Sequence, residues 1–257
     1  MSAPYDPRAP ESMARYARQL ILPEGGLRLQ QRLAESRVLL VGAGGLGSPL
    51  LLYLAAAGVG HLDIVDHDVV ELSNLHRQIA LRHDAIGQPK AEVAAATARA
   101  LNPDVRIVPH VLRLDANNLP GLLAGADLVI DGSDNFATRY AVADAARAAG
   151  VPLLTASLFR WEGQLTLLPH RGGEGPCLRC LYPAPPRPGT VATCAEAGIL
   201  GTVAGVLATT AANEAIKHLA AIGPTLAGRL LIYDGLASTW EEIRVGRRTG
   251  CQCGGSS

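Results

Sequence analysis

From position 37 to position 158, short apolar runs alternate with Ala- and Leu-rich stretches of helical length. Residues 37–42 (RVLLVG) are continuously apolar and end in glycine, which predicts a strand buried on both faces. A helix is expected over 46–57, closed by Gly58. Residues 61–66 (HLDIVD) read as a second strand. The rhythm then repeats: helix 89–101, strand 105–111, short helix 115–123, strand 127–131, helix 136–149 and strand 151–158. Such alternation implies right-handed crossovers and a mostly parallel sheet. A short amphipathic helix over 11–21 precedes it. Beyond 158 the pattern changes to strands over 164–168, 229–234 and 240–245, with one long helix over 198–221. No helix separates the last two strands, so they form a hairpin. Residues 182–190 (YPAPPRPGT) hold too much proline for helix or central strand and read as a mobile loop. There is no internal repeat. The fold class is α/β: a Rossmann-like, mostly parallel sheet extended by antiparallel strands.

Composition narrows the picture. The chain has 257 residues, enough for one large α/β domain. Apolar residues make up 48% and aromatic residues 4%, so the core is built from Ala, Leu, Val and Ile. The 23 basic and 23 acidic residues cancel, and no global field points to nucleic acid or an anionic membrane. Any anion site is local. The N-terminal residues are polar and Pro-rich, without the apolar region of a signal peptide. The longest apolar stretch, 198–213, stops at Glu214, short of the roughly 20 residues a membrane span needs. A cytoplasmic protein is expected.

The sequence Gly42-Ala43-Gly44-Gly45-Leu46-Gly47 follows a strand and opens a helix. Glycines there let the backbone turn tightly and approach a phosphate or ribose, and the helix N-terminus favours anions. Asp66 ends the next strand, where a carboxylate can bind ribose hydroxyls. This much fits NAD, FAD or ATP. The following segment carries Asp68, Asn74, Arg77 and Gln78, and Lys90 comes soon after in GQPK. A dinucleotide has little need of Arg77 and Lys90 beside the ribose strand, whereas a triphosphate needs cations as pyrophosphate leaves. Pro89 starts a helix, which puts Lys90 in its first turn. The strand over 127–131 runs into Asp131-Gly132-Ser133-Asp134-Asn135. Asp134 is placed to hold magnesium beside phosphate oxygens, and either Asp134 or Asn135 can cap the next helix.

The ordered series RYARQ, VGAGGLGS, IVDHDVVELSNLHRQ, GQPK, DGSDN, CLRC and TCAEAG resembles the family of sulfur-carrier adenylyltransferases that includes MoeB and ThiF, bacterial relatives of ubiquitin-activating enzymes. The likeness runs from about Arg15 to Cys253. It implies one adenylation domain over 1–257: an N-terminal helical arm (1–36), a nucleotide-binding half (37–158) and an antiparallel extension with the cysteine pairs (159–257), without a rhodanese domain. It implies that ATP is the nucleotide, with Arg18, Asn74, Arg77 and Lys90 on the triphosphate, Asp66 on the ribose and Asp134 on Mg2+. Arg18 would reach the nucleotide of a second subunit, hence a homodimer. The implied partners are a small ubiquitin-like sulfur carrier ending in Gly-Gly and a separate sulfur-donor protein, in molybdopterin or thiamine biosynthesis. The family often has Gln where this chain has His76, and His76 is given no role. An NAD-dependent oxidoreductase, a non-catalytic partner subunit and a tRNA-modifying relative are the other readings.

Five cysteines complete the inventory. Cys177 and Cys180 have knuckle spacing and, with Cys251 and Cys253, are expected to hold a structural Zn2+ through four thiolates. The family usually separates the second pair by two residues; here one residue intervenes, so the alternatives are that Cys251 or Cys253 is free or that zinc is lost. Cys194 follows the proline-rich loop, where a helix N-terminus lowers a thiol pKa. By resemblance it either bonds covalently to the carrier, as in ThiF-like members, or is dispensable for adenylation, as in MoeB-like ones.

Overall fold

A computed structural model describes residues 4–170, 175–187 and 198–253. Eight strands make one sheet: β1 (Arg37–Val41), β2 (His61–Val65), β3 (Arg106–His110), β4 (Leu128–Asp131), β5 (Leu153–Phe159), β6 (Glu162–Leu168), β7 (Arg229–Asp234) and β8 (Thr239–Arg244). Their spatial order is β3-β2-β1-β4-β5-β6-β7-β8. β1 pairs in parallel with β2 and β4, β2 with β3, and β4 with β5. From β5 onward the pairing is antiparallel. The expected parallel sheet with an antiparallel extension is thus what forms. The chain order reverses beside β1, and α/β sheets bind ligands at such a switch point.

Helices cover the sheet. The N-terminal arm holds α1 (Pro10–Arg15), α2 (Ala17–Leu20) and α3 (Gly26–Glu35). The parallel half adds α4 (Gly47–Ala57), α5 (Lys90–Leu101), α6 (Leu119–Leu123) and α7 (Phe136–Ala148). The extension adds α8 (Leu178–Leu181) and α9 (Gly201–Ala220). β1 and β2 are almost wholly buried: β1 is apolar after Arg37, and Asp63, the buried carboxylate within β2, is paired with Arg37 and His110. Leu50, Leu51 and Leu54 of α4 pack with Leu207, Ala208 and Ala211 of α9 in one core. Each fully buried Leu contributes about 1.5–3 kcal/mol. A second core lies on the other face, where Leu39, Val129 and Leu153 meet Val142 and Ala146 of α7.

Several boundaries differ from expectation. The helix over 11–21 breaks at Tyr16, whose φ of −98° and ψ of 13° leave the helical region. The break accompanies burial of the Tyr16 ring, stacked obliquely on Tyr5 at 5.6 Å, while its hydroxyl accepts from Asn102 Nδ2 at 2.9 Å. Sequence reasoning placed 1–36 in a helical arm without delimiting α3, although Leu29 and Leu33 repeat at helical spacing on its buried face. The long helix starts at Gly201 rather than 198, because Gly198 has a positive φ of 79°. The short helix starts at Leu119, after Asp115 Oδ1 has turned the chain by accepting from Asn117 and Asn118 N–H groups. The terminal hairpin forms as expected, with Tyr233 opposite Trp240 and ring centroids 4.7 Å apart. Residues 182–187 are neither helix nor strand.

Candidate active site and metal centre

A cleft of about 360 Å³ opens at the carboxyl ends of β1, β2 and β4. Its floor is the glycine loop. The Gly42 N–H donates to Val65 O at 2.8 Å, and the Gly132 N–H donates to Val41 O at 3.0 Å, which ties the three strand ends together. Gly44 faces open space: a Cβ there would meet only Gln78 Nε2, at 3.9 Å. The backbone is therefore bare where a ligand approaches. Gly47 serves packing instead, because a Cβ there would overlap the Gly42 carbonyl.

Asp66 follows β2 and anchors the loop. Its Oδ2 accepts from Ala43 N–H at 2.7 Å and its Oδ1 from Asp68 N–H at 2.9 Å. Lys90 is the first residue of α5 and is buried, with its ammonium 3.0 Å from Asp68 Oδ2. A buried cation aimed into a cleft and balanced by a half-exposed carboxylate can exchange that partner for an incoming anion. Pro89 is the N-cap of α5 rather than its first residue, one position from expectation. Arg77 packs its stem against Gly45, where an added Cβ would lie 3.4 Å from Arg77 Cδ. Its Nη1 donates to Ser73 O at 2.8 Å and lies 2.7 Å from His76 Nε2. A guanidinium only donates, so in this contact His76 Nε2 is the acceptor. That gives His76 a contact that sequence reasoning did not foresee.

Asn135 is the N-cap of α7, accepting from Thr138 N–H at 2.9 Å. Asp134 is left exposed to the cleft, and among the described residues no hydrogen bond or ion pair engages it. A single uncommitted carboxylate beside cations and bare backbone suits a divalent ion shared with phosphate oxygens. The cleft therefore brings together Gly42, Gly44, Gly45, Asp66, Asp68, Arg77, Gln78, Lys90, Asp134 and Asn135. Three candidates stand apart. Asn74 is buried in a capping box with Glu71 and does not line the cleft. Gly47 lies beneath it. Arg18 sits exposed on α2, away from this chain's own cleft. Cys194 lies outside the described residues. Arg139 lines the cleft and was not foreseen. Only its charge, six residues after Gly132-Ser133, was visible in the chain, and a helix-surface arginine is common.

The second centre is the cysteine cluster. Cys177 caps α8, and Cys180 N–H donates to Cys177 O at 2.9 Å, which folds the knuckle. Cys251 and Cys253 return from the chain's end to meet it. The Sγ–Sγ distances are 3.9 Å for Cys177–Cys180, 3.6 Å for Cys177–Cys251 and 3.3 Å for Cys180–Cys253. Four thiolates around a tetrahedral ion at about 2.3 Å would lie about 3.8 Å apart. The cluster is thus of a size to hold a metal ion, and the one-residue spacer does not prevent it. As thiols, Cys177, Cys251 and Cys253 are unlike. The backbone N–H of Cys253 holds the Cys251 thiol low, at about 7. Burial pushes Cys253 up to about 12 and also raises Cys177. Among the described residues, no helix is long and apolar enough to cross a membrane.

Comparison with known proteins gives a consistent result. The model of the ThiF family matches residues 16–254. The chain is 47% identical over 248 residues to the sulfur carrier protein adenylyltransferase of Thermus thermophilus, covering 95% of this chain and 92% of that protein. It is 48% identical over 241 residues to the SAMP-activating enzyme E1 of Haloferax volcanii, covering 93% and 88%. Against the bovine adenylyltransferase and sulfurtransferase MOCS3 the identity is 50% over 249 residues, but the chain spans only 54% of that protein, against 96% of its own length. Among solved structures, E. coli MccB with AMPCPP and MccA superposes with a TM-score of 0.82 at 20% identity, covering 94% of this chain and 74% of that one. That likeness shows a shared fold.

Proposed function

This chain belongs to the ThiF family, and on that premise we propose that it adenylates the C-terminal glycine carboxylate of a small ubiquitin-like sulfur carrier, using ATP. A carboxylate oxygen attacks the α-phosphorus of ATP, the bond to the β,γ-diphosphate breaks, and pyrophosphate leaves. The C-terminal carboxyl, with a pKa of about 3.5, is already ionised and needs no general base. The work left to the protein is positioning and charge neutralisation. The single observation that carries this reading is the convergence of Lys90, Arg77 and Asp134 over one bare glycine loop.

In this reading Gly44 and Gly45 admit the nucleotide, and Asp66 holds the ribose while tethering the loop. Lys90 and Arg77 meet the phosphates; Lys90 then gives up part of its pairing with Asp68. Asp134 would hold Mg2+, which would supply charge neutralisation to the departing diphosphate. Gln78, Asp68 and Asn135 border the same space. Asn74, buried in its capping box with Glu71, supports the segment. Arg18 acts across a homodimer, which its exposure and its distance from this chain's cleft favour. A sulfur-donor protein acts on the adenylate afterwards. The chain works as one adenylation unit, a reading supported by the eight strands sharing one sheet. A nicotinamide enzyme would leave Lys90 and Arg77 without work, and the relatives are named adenylyltransferases or E1. The test is ATP–pyrophosphate exchange with candidate carriers. Exchange is expected with an intact Gly-Gly end and is lost when those two residues are removed; exchange that ignores the carrier's end would sink the reading.

The four cysteines hold a structural zinc that pins residues 251–253 to the knuckle. Purified protein should carry about one zinc per chain. A strong chelator should lower the thermal midpoint by roughly 5 °C or more, since metal affinity is folding free energy. Acid should do the same, because each ligand must be deprotonated. A zinc-free chain with an unchanged midpoint would contradict the assignment.

A further inference from the structure

We propose that Arg139 is a positioning residue for Asp134, acting through its pairing with Asp131. This rests on the adenylation reading only in giving Asp134 a metal to hold.

Asp131 ends β4 and is wholly buried. A carboxylate so placed must be paired. Its Oδ1 accepts from the Ser133 N–H at 3.0 Å, and its Oδ2 lies 3.4 Å from the Thr155 hydroxyl and 3.3 Å from Arg139 Nε. The Nε contact is an ion pair without hydrogen-bond geometry. Arg139 comes from α7, and its side chain is 12% exposed. Its Nη2 donates to Ser133 O at 2.8 Å and reaches Ala156 O at 3.5 Å.

The two members of one ion pair thus hold both backbone polar groups of Ser133, Asp131 its N–H and Arg139 its carbonyl. On the far side, Asn135 is committed to the cap of α7. Asp134 lies between these two fixed residues, and among the described residues its side chain has no partner of its own. Its place in the cleft is therefore set by its backbone, and the backbone is set by the pair. Partners one step removed from a metal ligand commonly change metal affinity or activity by about 10–100-fold when lost. Arginine is required because one planar fork must serve Asp131 and Ser133 together; a lysine is a point charge and satisfies one of them.

The test uses the full chain with Arg139→Lys and with the double variant Asp131→Asn/Arg139→Gln. The double variant removes both charges, so no lone buried charge prevents folding. Two readouts do not depend on catalysis: hydrogen exchange of residues 132–135 in the free protein, and Mn2+ affinity in the presence of ATP. Both variants, folded by circular dichroism, should exchange faster at 132–135 and bind Mn2+ about 10-fold or more weakly. Exchange activity should show a raised half-saturating Mg2+ concentration. A folded variant with wild-type Mn2+ affinity and wild-type hydrogen exchange would overturn the proposal, and so would a wild-type protein that holds no Mn2+ with ATP. If the wild type holds Mn2+–ATP but no carrier supports pyrophosphate exchange, the adenylation reading fails while the positioning role of Arg139 is still decided by the two variants.

Discussion

Asp134→Ala should lower ATP–pyrophosphate exchange by about 10³-fold while leaving the fold intact. The two halves of that expectation have separate causes. Asp134 is exposed in the cleft and has no hydrogen-bond or ion-pair partner among the described residues. Exposed substitutions of that kind stay within about 0.5 kcal/mol of the parent. On the proposed function the same carboxylate would hold the cation that offsets charge on the departing diphosphate. A factor of 10³ in rate is about 4 kcal/mol of transition-state stabilisation, the scale of losing one well-placed electrostatic partner. Urea unfolding and exchange kinetics on the same preparation check both halves. Exchange at the parent rate would remove Asp134 from the reaction. A shifted urea midpoint would mean that it is structural.

Gly47→Ala should do the reverse and cost the fold. Gly47 is the first residue of α4, directly over the end of β1. A Cβ built there lies 2.9 Å from the Gly42 carbonyl carbon and closer still to its oxygen. Both atoms are backbone, in the turn that carries the glycine loop, and neither can swing aside as a side chain would. Overpacking of a tight core usually costs about 1–3 kcal/mol; a clash with backbone should reach about 3 kcal/mol or more. The control is Gly44→Ala, whose Cβ meets nothing closer than Gln78 Nε2 at 3.9 Å. It should fold normally and lose nucleotide affinity, because the methyl group fills the ligand's approach. Urea midpoints and nucleotide titrations on both variants distinguish the roles. Equal midpoints for the two would refute the division between a packing glycine and a ligand-facing glycine.

Local pattern sufficed for most of the architecture. An apolar run such as 38–41 needs burial on both faces, and Ala-rich helices between short strands leave few ways to build other than a parallel sheet. The glycine loop, Asp66, Lys90 and Asp134 were legible for the same reason. Each sits at the end of a strand or the start of a helix, and those positions follow from periodicity alone. Helix ends were less legible, since Tyr16 leaves its helix to bury a ring against Tyr5, a contact absent from the neighbouring sequence.

Folding alone produced the contacts between segments far apart in the chain. Cys177 meets Cys251 across 74 positions, and spacing within each pair said nothing of that distance. Lys90 stands out in the sequence as a cation at a helix start, but only the fold buries it against Asp68, 22 positions away, and so holds it inside the cleft. Arg139 carries no signal in the sequence beyond its charge; only the packing of β4 and α7 brings its guanidinium to Asp131 and Ser133. The physical reason is common to all three. Periodicity reports which face of an element is buried, but charge pairing and ligand geometry depend on which elements become neighbours, and that is set by the packing of the whole sheet.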